Sequence, residues 1–115
     1  MAHIRRTQNV ADVFIESRDP FESRDSDFIE ETALAVKDRG HEVTIFLVQN
    51  VVLAARKSVQ RLNRLVDAEV TLLADDLSLT ERGIKPDELA TGVQPTAIDE
   101  LVERIVKEKT KAIWH

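Results

Sequence analysis

The 115-residue chain contains no cysteine, and this absence excludes more chemistry than any other feature of its composition. Without a thiol, the sequence offers no disulfide, no thiolate metal site and no cysteine nucleophile of its own. Glycine and proline are scarce, with three residues of each. This scarcity, together with 43% hydrophobic and 32% charged residues, predicts a globular chain rather than a disordered one.

An excess of basic residues and long apolar runs are also missing. The formal net charge of -5 argues against nucleic-acid binding, because recognition of a phosphate backbone requires a basic surface. No apolar run has membrane-spanning length, and no signal-peptide core follows the charged N-terminus. The sequence therefore predicts a cytoplasmic protein with no membrane contact. Its length fits one domain with a single core, preceded by an extension over residues 1–9.

Short apolar runs alternate with helical patterns along the chain. Strands that alternate with helices in this way imply βαβ units. We therefore expect a three-layer α/β/α domain with a parallel sheet of four to five strands and right-handed crossovers. This architecture is flavodoxin-like in general character. The runs predict strands near 10–16, 42–48, 70–74 and 111–114, with a fifth short strand expected within 84–95.

Three longer helical patterns lie between these strands, besides a short polar helix at 77–82 and a helical turn at 86–90. The first begins near residues 25–27 and ends at Gly40, a residue suited to a left-handed helix stop. The second begins with Asn50 as its N-cap and continues past Leu62. The third covers about 96–108, with Thr96 as N-cap, and is the clearest amphipathic helix of the chain. Its apolar residues are expected to pack on the sheet: Ile98, Leu101, Val102 and Ile105.

The start of the second helix is apolar on every side. A helix without a polar face is buried all round, and one face of a small sheet does not provide that much cover. Large apolar patches left exposed on a monomer usually mark an interface. The sequence therefore predicts a subunit interface at Val51, Val52, Leu53, Ala54 and Ala55.

The candidate functional site lies in the stretch VTLLADDLSLTERGI, residues 70–84. Here an apolar run ends at two carboxylates, and a short polar helix follows. Ligands of open α/β sheets bind just outside the carboxyl ends of the strands, so a functional residue is expected at Asp75. The carboxylates after the first strand are expected on the neighbouring strand edge. The candidate residues at this edge are Asp75, Asp76, Glu16, Asp19 and Asn50.

These carboxylates allow one alternative function, a Mg²⁺ or phosphate-acceptor site in a receiver-like domain. Clustered carboxylates suit a hard cation. However, the text after the first strand, FIESRDP, lacks the paired acids of receiver domains, and TKAIWH does not end in a lysine. Acidic pairs without a motif are more often solvated or capping groups.

A histidine-based enzyme is a further alternative. His41 begins a strand, so it should lie at the amino-terminal edge of the sheet, away from Asp75, in a structural role. His3 and His115 are close to the chain ends. No Ser/His/Asp set, glycine-rich phosphate loop or HExxH pattern accompanies them. The sequence predicts neither a catalytic residue, a metal site nor a cofactor.

Two blocks of the sequence resemble the DsrE/DsrF-like proteins, small α/β subunits of bacterial and archaeal sulfur metabolism. They are ALAVKDRGHEVTIFLVQNVVLAARK, residues 33–57, and VTLLADDLSLTERGI. The resemblance extends from about Val10 to Trp114 and implies a DsrE-like fold. It also implies a homo-oligomer, a trimer or a hexamer, or a hetero-oligomer with DsrE-like paralogues.

The chain departs from this family where the family's chemistry occurs. Members that carry sulfur form a persulfide on a cysteine at the end of the third strand. The resemblance places Asp75 at that position and Asp76 where a glycine is usual. A carboxylate forms no persulfide. As an N-cap, however, it can accept hydrogen bonds from the same backbone N–H groups that would favour a thiolate or persulfide there. The family includes cysteine-less subunits that act as structural partners, so the resemblance implies a non-catalytic subunit.

Overall fold

The computed structural model describes residues 11–17, 25–59, 62–108 and 111–114. Within these ranges five strands form one parallel sheet, in the order β4-β3-β2-β1-β5. The predicted α/β class, with a parallel sheet and helices on both faces, is confirmed. The strands are β1 (Ala11–Glu16), β2 (Glu42–Leu47), β3 (Thr71–Asp75), β4 (Val93–Thr96) and β5 (Lys111–Trp114).

The helices cover the two faces of the sheet unequally. On one face, helical segments pack over a large core built around Phe14, Ile45 and Leu72. On the other face, the last helix covers a smaller core that includes Val13, Phe46 and Leu101. The α-helices are α1 (Asp25–Asp38), α2 (Asn63–Asp67), α3 (Asp76–Glu81) and α4 (Ile98–Glu108), and 3₁₀ helices occupy Gln49–Ala55 and Pro86–Glu88.

The predicted second helix is wrong as a continuous element. A 3₁₀ helix ends at Ala55, and α2 contains only five residues. The chain between them bonds to a distant segment: Ala55 O accepts from Ala90 N at 2.8 Å, and Lys57 N donates to Glu88 O at 2.8 Å. These backbone groups are therefore not available for an α-helical ladder. The N-cap is Val48, without a side-chain bond, and not Asn50.

The apolar stretch Val51–Ala55 is covered by its own chain. Val51 is 3% exposed, Val52 and Ala55 are 0% exposed, and Ala54 is 1% exposed; Leu53 is half-buried. Side chains without exposed surface in a single chain have nothing to bury against a second subunit. The reason for expecting an interface is thus corrected for Val51, Val52, Ala54 and Ala55, which belong to the core of the single chain.

Helix α4 also differs from expectation. Of the four residues expected to pack on the sheet, Leu101 is buried and Ile105 is partly buried, whereas Ile98 and Val102 are 46% and 53% exposed. The apolar face of this helix is wider than the strip that reaches the sheet. Thr96 is not the N-cap, because it is the last residue of β4 and α4 begins two residues later.

Strand β4 is the expected fifth strand, and it lies at one edge of the sheet. It contains Pro95, which has no N–H to donate and is therefore confined to edges and bulges. The strand begins directly after Gly92, which has a positive φ of 98°. A Cβ atom at Gly92 would lie 3.1 Å from Cγ1 of Val66 in the helical layer.

Replacing Gly92 by alanine is expected to destabilise the domain more than replacing Gly40. Both glycines have a left-handed φ, which costs a residue with a side chain about 1–2 kcal/mol. Only at Gly92 must a neighbour, Val66, move as well, since no atom lies within 4 Å of a Cβ at Gly40. Urea unfolding of Gly92→Ala and Gly40→Ala measures the difference. Equal losses would show that Val66 moves without cost.

Candidate functional site at the carboxyl edge of the sheet

Asp75 ends β3 and caps α3. Its Oδ2 accepts a hydrogen bond from the backbone N of Ser78 at 3.2 Å and another from Ser78 Oγ at 2.7 Å. The N-cap role that the sequence predicts for Asp75 is confirmed. A carboxylate in this position satisfies a free N–H of the first helical turn and lies at the positive end of the helix.

Ser78 connects this cap to the chain after β2. It is 4% exposed, and its Oγ accepts a hydrogen bond from the backbone N of Gln49 at 2.9 Å. Gln49 has a positive φ of 55°, unusual for a residue other than glycine, at the turn from β2 into the 3₁₀ helix. The hydroxyl of Ser78 thus donates to Asp75 and accepts from Gln49.

Sequence reasoning missed Ser78. The spacing of three residues between Asp75 and Ser78 is a local signal for the capping bond. The bond to Gln49 joins residues 29 positions apart, so no local pattern could have shown it.

Arg82 links the same two segments at the surface. Its Nε and Nη2 both donate to Oδ1 of Asn50, at 3.1 and 2.9 Å, and its Nη1 donates to the carbonyl oxygen of Ser78 at 3.2 Å. Asn50 is therefore an acceptor for a guanidinium and not a helix cap. Asp75, Ser78, Gln49, Asn50 and Arg82 form one hydrogen-bond network, which we call the edge network.

The other predicted site carboxylates are Glu16, Asp76 and Asp19. Glu16 ends β1 and is aligned with Leu47 of β2, so the strand order places β2 between Glu16 and Asp75. Two strand spacings separate them, about 10 Å. The expectation that Glu16 sits on the strand next to β3 is wrong. Asp76 is exposed in the first turn of α3, and Asp19 lies outside the described residues.

The described residues contain no group of three or more histidine and acidic side chains that could hold a metal ion. A cleft of about 80 Å³ lies beside β4 and α4, lined by residues that include Gln94, Thr96, Glu100 and Arg104. None of the candidate site residues that the structure describes is among those lining it. The edge network is therefore a set of satisfied hydrogen bonds that fixes the backbone around the end of β3.

His41 lies at the opposite edge, as expected. Its Nδ1 is 2.7 Å from Oδ2 of Asp12, which is 6% exposed near the start of β1. A buried carboxylate requires a hydrogen-bond partner, and His41 supplies one. His3 and His115 lie outside the described residues.

The strand order and the connections define a class of small open α/β domains. From β1 to β4 each new strand pairs with the previous one. The chain then crosses back through α4 to the other side of the sheet, where β5 pairs with β1. Among the described residues no helix is long and apolar enough to cross a membrane.

The chain belongs to the DsrE/DsrF-like family, whose sequence model matches residues 9–111. The fold is similar to that of the ychN protein from E. coli, with a TM-score of 0.80, 19% sequence identity, and coverage of 92% of this chain and 99% of that one. It is also similar to MTH1491, a protein of unknown function from Methanobacterium thermoautotrophicum, with a TM-score of 0.76 and 19% identity over 93% of this chain and 100% of that one. No curated protein matches the sequence significantly.

Proposed function

We propose that the protein is a non-catalytic DsrE-like subunit that serves cytoplasmic sulfur transfer as an oligomeric scaffold or binding module. The observation that carries this proposal is the state of Asp75. The family resemblance places it where sulfur-carrying members have a cysteine, and in the structure its carboxylate is engaged as the cap of α3.

The geometry around Asp75 explains how a carboxylate can replace a thiol without its chemistry. The start of α3 favours an anion, whether a thiolate, a persulfide or a carboxylate. Asp75 supplies the charge and accepts the hydrogen bonds of Ser78. It has no sulfur atom to attack a persulfide, and the chain contains no cysteine. The protein thus has the fold of the family without the residue that would carry out sulfur transfer.

The alternative carboxylate function has no observation in its favour. Asp75 is engaged with Ser78, and Glu16 is separated from it by β2. The family match supports no receiver-like domain. We therefore propose no magnesium or phosphate-acceptor site.

A sulfur-loading experiment tests the role of Asp75. The wild-type protein, incubated with a cysteine desulfurase and cysteine, is expected to gain no sulfur mass. The variant Asp75→Cys is expected to gain one sulfur atom, because the helix start lowers the pKa of a thiol there. Its thiolate attacks the terminal sulfur of the desulfurase persulfide, a new S–S bond forms, and the desulfurase cysteine leaves as a thiolate. Intact-protein mass spectrometry measures the gain.

Leu77→Cys is the matched control for this experiment. Leu77 is 63% exposed two residues further along, so the variant carries a more accessible thiol outside the cap position. Faster thiol labelling and sulfur loading at position 75 than at position 77 is expected. An inert Asp75→Cys variant beside a reactive Leu77→Cys variant would show that the alignment with the family's cysteine is wrong.

The scaffold role predicts the kind of partner. An affinity-tagged copy purified from the native cell should retain a cysteine-bearing DsrE-like paralogue or a sulfurtransferase, or assemble with itself as a trimer or a hexamer. Recovery of phosphotransfer or nucleotide-binding proteins in their place would contradict the proposal.

A further inference from the structure

The cleft between the edge strand β4 and helix α4 has an apolar floor and polar walls. The floor contains Leu73 and Leu101, which are 4% and 2% exposed. The register of β4 aligns Gln94 with Leu73. Aligned residues of parallel strands point to the same face of a sheet, so Gln94 faces the α4 side, and Thr96, two residues further on, faces it as well. Strand β4 thus provides an amide and a hydroxyl as one wall of the cleft.

Helix α4 provides two opposite charges as the other wall. Glu100 and Arg104 are exposed and lie one helical turn apart, which places their Cβ atoms about 5–6 Å from each other. A glutamate four residues before an arginine is the favourable order for an ion pair on a helix. Among the described residues, however, neither side chain forms an ion pair or a hydrogen bond. Both charges are therefore available to a ligand.

This pair of charges disfavours a ligand that carries only one charge. A carboxylate or a phosphate bound to Arg104 would lie close to the carboxylate of Glu100, and an amine bound to Glu100 would lie close to the guanidinium of Arg104. Like charges repel at such distances. A ligand that has both an ammonium and a carboxylate group pairs with both side chains, and an α-amino acid is the simplest molecule of this kind.

The groups on β4 suit the same ligand. An amide side chain such as that of Gln94 donates to a carboxylate and accepts from an ammonium group, and a hydroxyl does either. The hydroxyl of Thr96 donates to the carbonyl oxygen of Gln94 at 3.4 Å, which is long for a hydrogen bond between oxygens. Little is lost when this hydroxyl turns to a ligand instead.

The volume of the cleft limits the size of the ligand. About 80 Å³ is space for about five to eight water molecules, at about 10–15 Å³ for each. Glycine, alanine and serine fall within this size, whereas the aromatic amino acids exceed it. We propose that the cleft binds a free α-amino acid with a small side chain, its carboxylate on Arg104 and its ammonium group on Glu100.

This inference goes beyond the proposed scaffold role and does not depend on it. Because the two charged side chains are exposed, each ion pair with the ligand contributes little, and we expect a dissociation constant in the millimolar range. A titration of the full chain with L-alanine, followed by heteronuclear NMR of the backbone amides, tests the site. Saturable shifts are expected at the polar residues that line the cleft: Gln94, Thr96, Glu100 and Arg104.

Propionate and ethylamine are the matched ligand controls, because each carries only one of the two charged groups of alanine. Both should bind about tenfold more weakly than alanine, as expected when one charged hydrogen bond is lost. Binding of propionate or ethylamine as tight as that of alanine would overturn the proposal, since the cleft would then select a single charge. Shifts that do not saturate, or that spread evenly over the surface, would overturn it as well.

Charge variants test the two ion pairs separately. Glu100→Gln and Arg104→Gln should each weaken alanine binding about tenfold, whereas Glu103→Gln, on an exposed residue of α4 that does not line the cleft, should leave it unchanged. The exchange Glu100→Arg with Arg104→Glu should restore binding, because a zwitterion can bind in the reversed orientation. Equal affinity in all three single variants would overturn the proposal, and circular dichroism checks that each variant is folded.

Discussion

Val52→Asp is expected to unfold the domain. Val52 is 0% exposed in the large core, together with Phe14 and Leu72. Placing a carboxylate there buries a charge without a partner and removes apolar contacts, a combination that costs more than about 4 kcal/mol. A domain of this size has a total stability of about 5–15 kcal/mol, so little or none would be left. Thermal unfolding followed by far-ultraviolet circular dichroism should show a loss of the cooperative transition.

Val102→Asp is the matched control, because it makes the same substitution at a valine that is 53% exposed. It should change the free energy of unfolding of each subunit by less than about 0.5 kcal/mol, as surface substitutions usually do. The two variants compare a buried valine with an exposed one. A Val52→Asp protein that stayed folded but dissociated would restore Val51–Ala55 as an interface and contradict the burial seen in the single chain.

Asp75→Ala is expected to destabilise the protein by about 1–3 kcal/mol, more than Asp76→Ala does. Removing the Asp75 carboxylate leaves the backbone N of Ser78 without its cap and the buried Ser78 hydroxyl without its acceptor. Asp76 is exposed in the first turn of α3 and makes a charge–dipole contribution of about 0.3–1 kcal/mol. Urea unfolding at neutral pH measures both losses.

A double-mutant cycle with Ser78→Ala shows whether the edge network acts as one unit. Residues that share a hydrogen-bond network couple by about 0.5–3 kcal/mol, so the double variant should lose less stability than the two single variants together. Additive losses, or equal losses for Asp75→Ala and Asp76→Ala, would show that the bonds of Asp75 to Ser78 contribute nothing. The interpretation of Asp75 as a structural anion would then fail.

The local parts of this structure could be read from the sequence. Apolar and β-branched runs predict four of the five strands, because a strand's pattern depends on residues that are neighbours in the chain. The cap at Asp75 depends on a residue three positions away. The family resemblance, which rests on the order of these local pieces, was confirmed over residues 9–111.

Contacts between segments distant in sequence determine where the second helix ends and which residues form the edge network. The segment after Ala55 bonds to residues 88–90, and this pairing ends a helix that the apolar pattern would continue. Strand order separates Glu16 from Asp75, and the bonds of Arg82 draw Asn50 into the edge network. None of these contacts can be predicted from a short window of sequence, because each joins residues that are far apart in the chain.

The contrast between Val52 and Val102 shows the physical reason. Both belong to apolar stretches, yet one is fully buried and the other is more than half exposed. Hydrophobic periodicity reports which face of an element avoids water, and it contains no information about what covers that face. The sequence by itself determined most of the elements and their apolar faces. Only the tertiary structure decided that most of Val51–Ala55 is buried within the chain and that Ile98, Val102 and Val106 of α4 are exposed, because burial depends on the packing of segments far apart in sequence.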